Sequence, residues 1–215
     1  MSIKAIVFDM DGVLIDAKEW HYDALNQALE LFGFTIPRVD HETRYDGLPT
    51  KTKLGQLSEC TTLPTALHGF INQMKQVYTL SLARELLRPD PQHVEMLSTL
   101  KANGYVLGVA SNSVRTSVDL MMDLAGLSPF LDFTLSNDDV VSPKPAPEIY
   151  TTAMRLARVM PHECLVVEDN PFGWKAALGA GAHLLKVANV QEVSYENVIG
   201  AVNQANAEVP RSRAA

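Results

Sequence analysis

The run at residues 3–8 is short, mostly apolar and rich in branched side chains, and it ends without a spacer in Asp9-Met10-Asp11-Gly12. Such a run suits a strand buried on both faces of a sheet. Two carboxylates at its end would repel each other in an apolar setting unless something positive sits between them. The start of this chain is therefore expected to be a buried strand of a sheet whose carboxyl edge handles charge. In open parallel sheets that edge is also where ligands bind.

The rest of the chain repeats the pattern. Apolar runs at 105–110, 133–135, 165–167 and 183–187 alternate with amphipathic stretches at 91–103, 114–125, 146–158 and 171–180, several of them closed by a glycine. Alternation of this kind predicts an α/β fold, a doubly wound, Rossmann-like parallel sheet with helices on both faces. Between residues 17 and 88 there is no strand pattern. Trp20, Ala24, Leu25, Ala28, Leu29 and Phe32 fall at helical spacing, and 66–87 carries a second long helical pattern. Residues 17–88 are thus expected to form an inserted α-helical cap, with the catalytic core made of 1–16 and 89–203. The polar, alanine-rich residues 204–215 are expected to be a flexible tail.

Three further segments share the position of the first acid pair, the carboxyl end of a core strand. Val109-Ala110-Ser111-Asn112 puts the Ser111 hydroxyl and nearby main-chain N–H groups at a helix start, where Ser111 and Asn112 can bind phosphate oxygens or serve as an ordinary cap. Ser142-Pro143-Lys144-Pro145-Ala146-Pro147 presents Lys144 from a stiff loop, either as a fixed ammonium for a phosphoryl group or as a solvated turn lysine. Leu165-Val166-Val167-Glu168-Asp169-Asn170 ends a strand in a second acid pair, a source of hard oxygen ligands for Mg2+. Each segment has a bland explanation, but their joint placement at strand ends does not.

These four segments resemble the four motifs of the haloacid dehalogenase-like hydrolase superfamily, and the likeness spans nearly the whole chain. The resemblance implies Asp9 as nucleophile and Asp11 as general acid/base, with Ser111 and Lys144 as phosphate ligands. It implies Mg2+ held by Asp9, the main-chain carbonyl of Asp11, and Asp169, with Glu168 supporting its water shell. It also places a helical cap between the first two motifs. The Glu19-Trp20-His21 segment is similar to the start of the cap in β-phosphoglucomutases and related sugar-phosphate phosphatases, where the corresponding His helps position the acid/base and the sugar. Lys75 lies where such caps carry a substrate-contacting Lys. Thr50 and Lys51, after Asp46-Gly47-Leu48-Pro49, fall on the loop that sets specificity, at a place where the mutases carry an Arg for the distal phosphate.

The function expected is a Mg2+-dependent phosphomonoester phosphatase acting on a small phosphorylated sugar or polyol. A phosphosugar mutase using the same aspartate, and a non-catalytic phosphate-binding module, are the alternatives. With a net charge of −7 and no basic run, the chain is a poor candidate for nucleic-acid or membrane-surface binding. Its partner is therefore a small phosphate ester, and it is expected to act as a monomer or small homo-oligomer. Two distant cysteines, no membrane-length apolar stretch and no leader pattern point to the cytoplasm. His41, His68, His93, His162 and His183 have no partners at metal-ligand spacing and are expected at the surface or at interfaces.

Overall fold

The computed structural model describes residues 2–45 and 48–208. Five short strands, β1 (Ala5–Phe8), β2 (Val106–Ala110), β3 (Phe133–Leu135), β4 (Cys164–Glu168) and β5 (His183–Lys186), form one sheet in the order β3-β2-β1-β4-β5. All four pairings are parallel, with Phe8 opposite both Val109 and Val167. This is the expected doubly wound α/β architecture. The first strand lies at its centre, and the chain leaves it in opposite directions, to β2 on one side and β4 on the other. Ligands of open α/β sheets bind at this kind of switch point.

The contacts of the fold divide it into two compact units, residues 1–16 with 88–215 and residues 17–87. In the first unit, helices α5 (Pro91–Ala102), α6 (Arg115–Leu124), α7 (Glu148–Ala157), α8 (Pro171–Gly179) and α9 (Tyr195–Glu208) accompany the sheet. Ile149, Tyr150, Ala153 and Met154 of α7 and Ala176 and Ala177 of α8 pack with Ala5, Val7 and Val166 of the strands in a single apolar cluster. Burial of this kind is worth roughly 25 cal/mol per Å2 of apolar surface and is the main force holding helices to the sheet. Asp90 and Asn170 cap α5 and α8 by accepting from Gln92 N–H and Phe172 N–H, and each helix has Pro in its first turn.

The second unit is helical. It contains α1 (Lys18–Glu30), a short α2 (Arg38–Asp40) that runs into a π-helical turn (His41–Tyr45), α3 (Thr50–Cys60) and α4 (His68–Leu86). Leu25, Leu29, Ile36, Leu54, Leu57 and Ile71 form its core. Asn26 closes the connection after α1 by donating to and accepting from the Ile36 main chain, at 3.1 and 2.7 Å.

Two expectations change. Residues 204–208, assigned to the flexible tail, continue α9: Ala205 is buried, and Asn206 Oδ1 accepts the Ile3 N–H at 2.7 Å. That bond satisfies a donor just ahead of β1, which fixes the end of the helix to the sheet. Residues 209–215, the remainder of that tail, lie outside the described residues. His41 and His93, expected at the surface or at interfaces, are buried, at 6% and 2% exposure. Among the described residues no helix is long and apolar enough to cross a membrane.

Candidate functional site

The site forms where β1, β2 and β4 end. Asp9 follows Phe8 directly and remains in register, its N–H donating to Val167 O at 3.0 Å. The chain then turns tightly about the Met10 carbonyl, which accepts from Val13, Leu14 and Ile15 N–H. Gly12 takes φ 86°, in the left-handed region that favours glycine, and this lets Asp11 leave the sheet immediately after the strand.

Lys144 reaches the same point from the loop ahead of α7. Its ammonium is buried and donates to Asp9 Oδ1 at 2.7 Å and to Glu168 Oε1 at 2.6 Å. The Tyr150 ring lies 4.8 Å from the same nitrogen, and the Tyr150 hydroxyl donates to Glu168 Oε1 at 2.7 Å. Asn170 N–H reaches Glu168 Oε2 at 3.2 Å. Glu168 is therefore held from three directions. Gly173 leaves room for it, since a Cβ at that position would stand 1.8 Å from Oε1.

The charges do not balance. Burial pushes the Asp9 carboxyl well above its ordinary range, and Glu168, Asp169 and Asp11 add to this against the opposing pull of Lys144. Burial works against the Lys144 ammonium too, yet Asp9 and Glu168 hold it above its ordinary value. The Lys144 ammonium thus faces Asp9 and Glu168, with Asp169 beside them. Oxygens of Asp9, Glu168 and Asp169 lie within 4.8 Å of one another. An all-oxygen donor set with surplus negative charge fits a hard divalent cation such as Mg2+.

Ser111 is buried at the end of β2, and its Oγ accepts the Ser113 N–H at 3.0 Å. Asn112, expected as a phosphate ligand, uses its side-chain amide differently. It donates to Lys144 O at 3.2 Å and accepts from Lys144 N–H at 3.0 Å, clamping the lysine loop onto the end of β2. The carboxyl of Asp11 is engaged by Ser113, whose Oγ donates to Oδ2 at 2.9 Å.

In the helical unit, His21 of α1 and Lys75 of α4 come together, with Nδ1 and Nζ 2.9 Å apart and Lys75 buried. Thr50 begins α3 and is half-buried, while Lys51 is exposed. The buried lysine of that segment is Lys53, whose Nζ lies 3.3 Å from His41 Nε2. Asp46 and Gly47 of the same loop lie outside the described residues.

Sequence reading missed Ser113, Tyr150, the Lys53–His41 pair and the room that Gly173 leaves for Glu168. Gly173 alone leaves a local signal, because glycine inside a helix's first turn costs stability unless something needs the space. The others acquire their partners only when distant segments meet.

Residues 6–187 match the model of a family described as haloacid dehalogenase-like hydrolase. A Thermotoga maritima protein, "Phosphorylated carbohydrates phosphatase", is 28% identical over 183 residues, covering 83% of this chain and 82% of its own length. The structure of CbbY from Rhodobacter sphaeroides in complex with phosphate superposes with a TM-score of 0.75 at 26% identity, covering 86% of this chain and 85% of that one. A β-phosphoglucomutase from Clostridium difficile shares the fold, with a TM-score of 0.81 at 22% identity over 96% of this chain and all of that one.

Proposed function

This chain belongs to the haloacid dehalogenase-like hydrolase family, and on that premise we propose that it hydrolyses a small sugar or polyol phosphate through a phospho-aspartate on Asp9, with Mg2+ as cofactor. It is a phosphatase, a hydrolase acting on phosphoric monoesters. The observation that carries the mechanism is the buried Asp9 at the end of the central strand, 2.7 Å from the Lys144 ammonium and beside two further carboxylates.

In this reading Asp9 attacks phosphorus, forming an Asp9–phosphorus bond as the bond to the ester oxygen breaks. Asp11 gives its proton to that oxygen. Water then attacks the phospho-aspartate, Asp11 takes its proton, and inorganic phosphate leaves with Asp9 restored. Splitting the reaction at a covalent intermediate replaces one hard displacement with two easier ones, and acid–base help adds about 10²–10⁴-fold. Lys144 and Ser111 bind the phosphoryl oxygens, with Asn112 holding the Lys144 main chain in place. Asp9, Asp169 and the Asp11 carbonyl would hold the cation, and Glu168 would support its water shell. Bound there, Mg2+ offsets the surplus carboxylate charge and the charge of the phosphoryl group.

The substrate class draws on the relative named for phosphorylated carbohydrates and on the CbbY–phosphate complex. We assign its recognition to the helical unit, through His21, Lys75, Thr50 and Lys51. The net charge of −7 supports a small-molecule partner rather than nucleic acid or membrane.

The test is phosphate release, with Mg2+, from a panel of phosphorylated sugars, glycerol phosphates, phosphoglycolate and nucleoside monophosphates, with Asp9→Asn as the blank. Release that is absent in the variant supports the reading, and full activity in the variant refutes the nucleophile. Conversion of a sugar 1-phosphate to its 6-phosphate without release points instead to a mutase.

A further inference from the structure

Ser113 lies three residues beyond the end of β2, just ahead of α6. A serine there ordinarily serves the helix, accepting one of its unpaired N–H groups. Here it does not. The cap position is Val114, in extended conformation and without a side-chain cap bond, and Arg115 N–H is satisfied by Asp138 Oδ2 at 2.8 Å. The Ser113 hydroxyl instead donates to Asp11 Oδ2 at 2.9 Å. Its main chain is fixed on both sides, with the N–H bonded to Ser111 Oγ and the carbonyl accepting from Asn137 N–H, both at 3.0 Å. A rigid donor therefore meets the one carboxyl that the mechanism requires to exchange a proton.

We propose that Ser113 is a positioning residue for Asp11: its hydroxyl occupies Oδ2 as an acceptor and turns Oδ1 into the oxygen that delivers the proton to the leaving group. A carboxylic acid that accepts a hydrogen bond on one oxygen carries its proton on the other. Without this bond the carboxyl has one restraint fewer on its terminal torsion, whose wells are broad, and the acid spends less time aimed at the ester oxygen. Geometric slack of this order lowers rates when reacting groups must lie within hydrogen-bond reach. The inference rests on the phosphatase reading given above.

The test is leaving-group dependence. kcat/KM covers only the steps through the first irreversible one, here loss of the alcohol to form phospho-Asp9, and so it isolates the acid role of Asp11. It is measured for wild type, Ser113→Ala and Ser113→Thr on two esters: the alkyl phosphate of the panel that wild type hydrolyses fastest, and p-nitrophenyl phosphate. The alkyl leaving group needs protonation, whereas the nitrophenolate leaves without it. Ser113→Ala is expected to lower kcat/KM for the alkyl ester by about fivefold, the worth of one hydrogen bond to a neutral acceptor. It should leave p-nitrophenyl phosphate within about twofold, and Ser113→Thr should restore most of the loss. Equal losses on both esters, or no loss on the alkyl ester, would overturn the proposal. If Ser113→Ala does not fold, Ser113→Cys carries the same comparison with a weaker donor. Turnover that is lost in Asp9→Asn while Ser113→Ala behaves as wild type sinks this inference and leaves the phosphatase reading standing.

Discussion

Replacing Gly173 with alanine sets two expectations of opposite sign against each other. Gly173 lies in the first turn of α8, and on helix propensity alone Gly→Ala stabilises by up to about 1 kcal/mol. The structure says otherwise. The new Cβ would stand 1.8, 1.9 and 2.2 Å from Oε1, Cδ and Oε2 of Glu168, so the carboxylate has to leave its place. It cannot move without releasing Lys144 Nζ and the Tyr150 hydroxyl, both buried and both bonded to Oε1. Overpacking costs about 1–3 kcal/mol, and breaking a buried ion pair about 3–5 kcal/mol. The net expectation is a loss of about 3 kcal/mol or more after the helix gain is subtracted. Urea unfolding can be followed by the fluorescence of Trp174, which is on α8 and donates its indole N–H to Glu168 O at 3.1 Å. With a slope of about 1–3 kcal/mol/M, the midpoint should fall by roughly 1 M or more. A midpoint that is unchanged or raised would show that Glu168 is not confined as described.

Chelation with EDTA should stop turnover and added Mg2+ should restore it, since one ammonium does not offset the carboxylates around Asp9; unchanged activity in chelator rejects the metal. Asn112→Ala removes both bonds to the Lys144 main chain and should lower kcat by about tenfold through misplacement of the ammonium, with a melting shift of only a few degrees; an unchanged kcat shows that the prolines alone fix the loop. Asp139 is held below its ordinary value of 3.8, burial notwithstanding, by hydrogen bonds from Ser136 and by Arg115. A depressed carboxyl contributes stability that is present above its unfolded pKa and lost as pH falls through the folded one. Asp139→Asn should therefore flatten the fall in melting temperature below about pH 4, and an identical acid limb in wild type and variant removes Asp139 from it.

The strands were legible because burial on both faces leaves a continuous apolar signature. The 133–135 strand matches residue for residue, and the others differ from expectation by one or two residues at their ends. The helices that start with proline and stop near glycine were read as closely. The end of α9 was not, because its alanine-rich surface says nothing of Ala205 going into the core or Asn206 reaching Ile3, more than two hundred residues away in the chain. The site divides in the same way. Residues at strand ends announce themselves, since a polar group after an apolar run has few other reasons to be there. The clamp that Asn112 makes was not legible, because nothing local shows that its side-chain amide faces the backbone of Lys144. Thr50 and Lys51 drew attention by position in the chain, whereas burial singles out Lys53, one helical turn from Thr50.

The central place of β1 has a consequence for how the chain comes together. Ala5 pairs with Val106 on one side and Cys164 on the other, so both neighbours of the first strand lie far downstream. Closing such long loops costs entropy that local contacts do not repay, and proteins dominated by such pairings fold slowly. During synthesis the first strand therefore emerges as an unpaired apolar segment, while the helical 17–87 unit behind it has its own core to collapse around. The first of the five strands must wait for partners made much later, and Asp9 at its end meets Lys144 only when that downstream segment has folded against it. A chain interrupted before Lys144 would hold Asp9 without its ammonium partner.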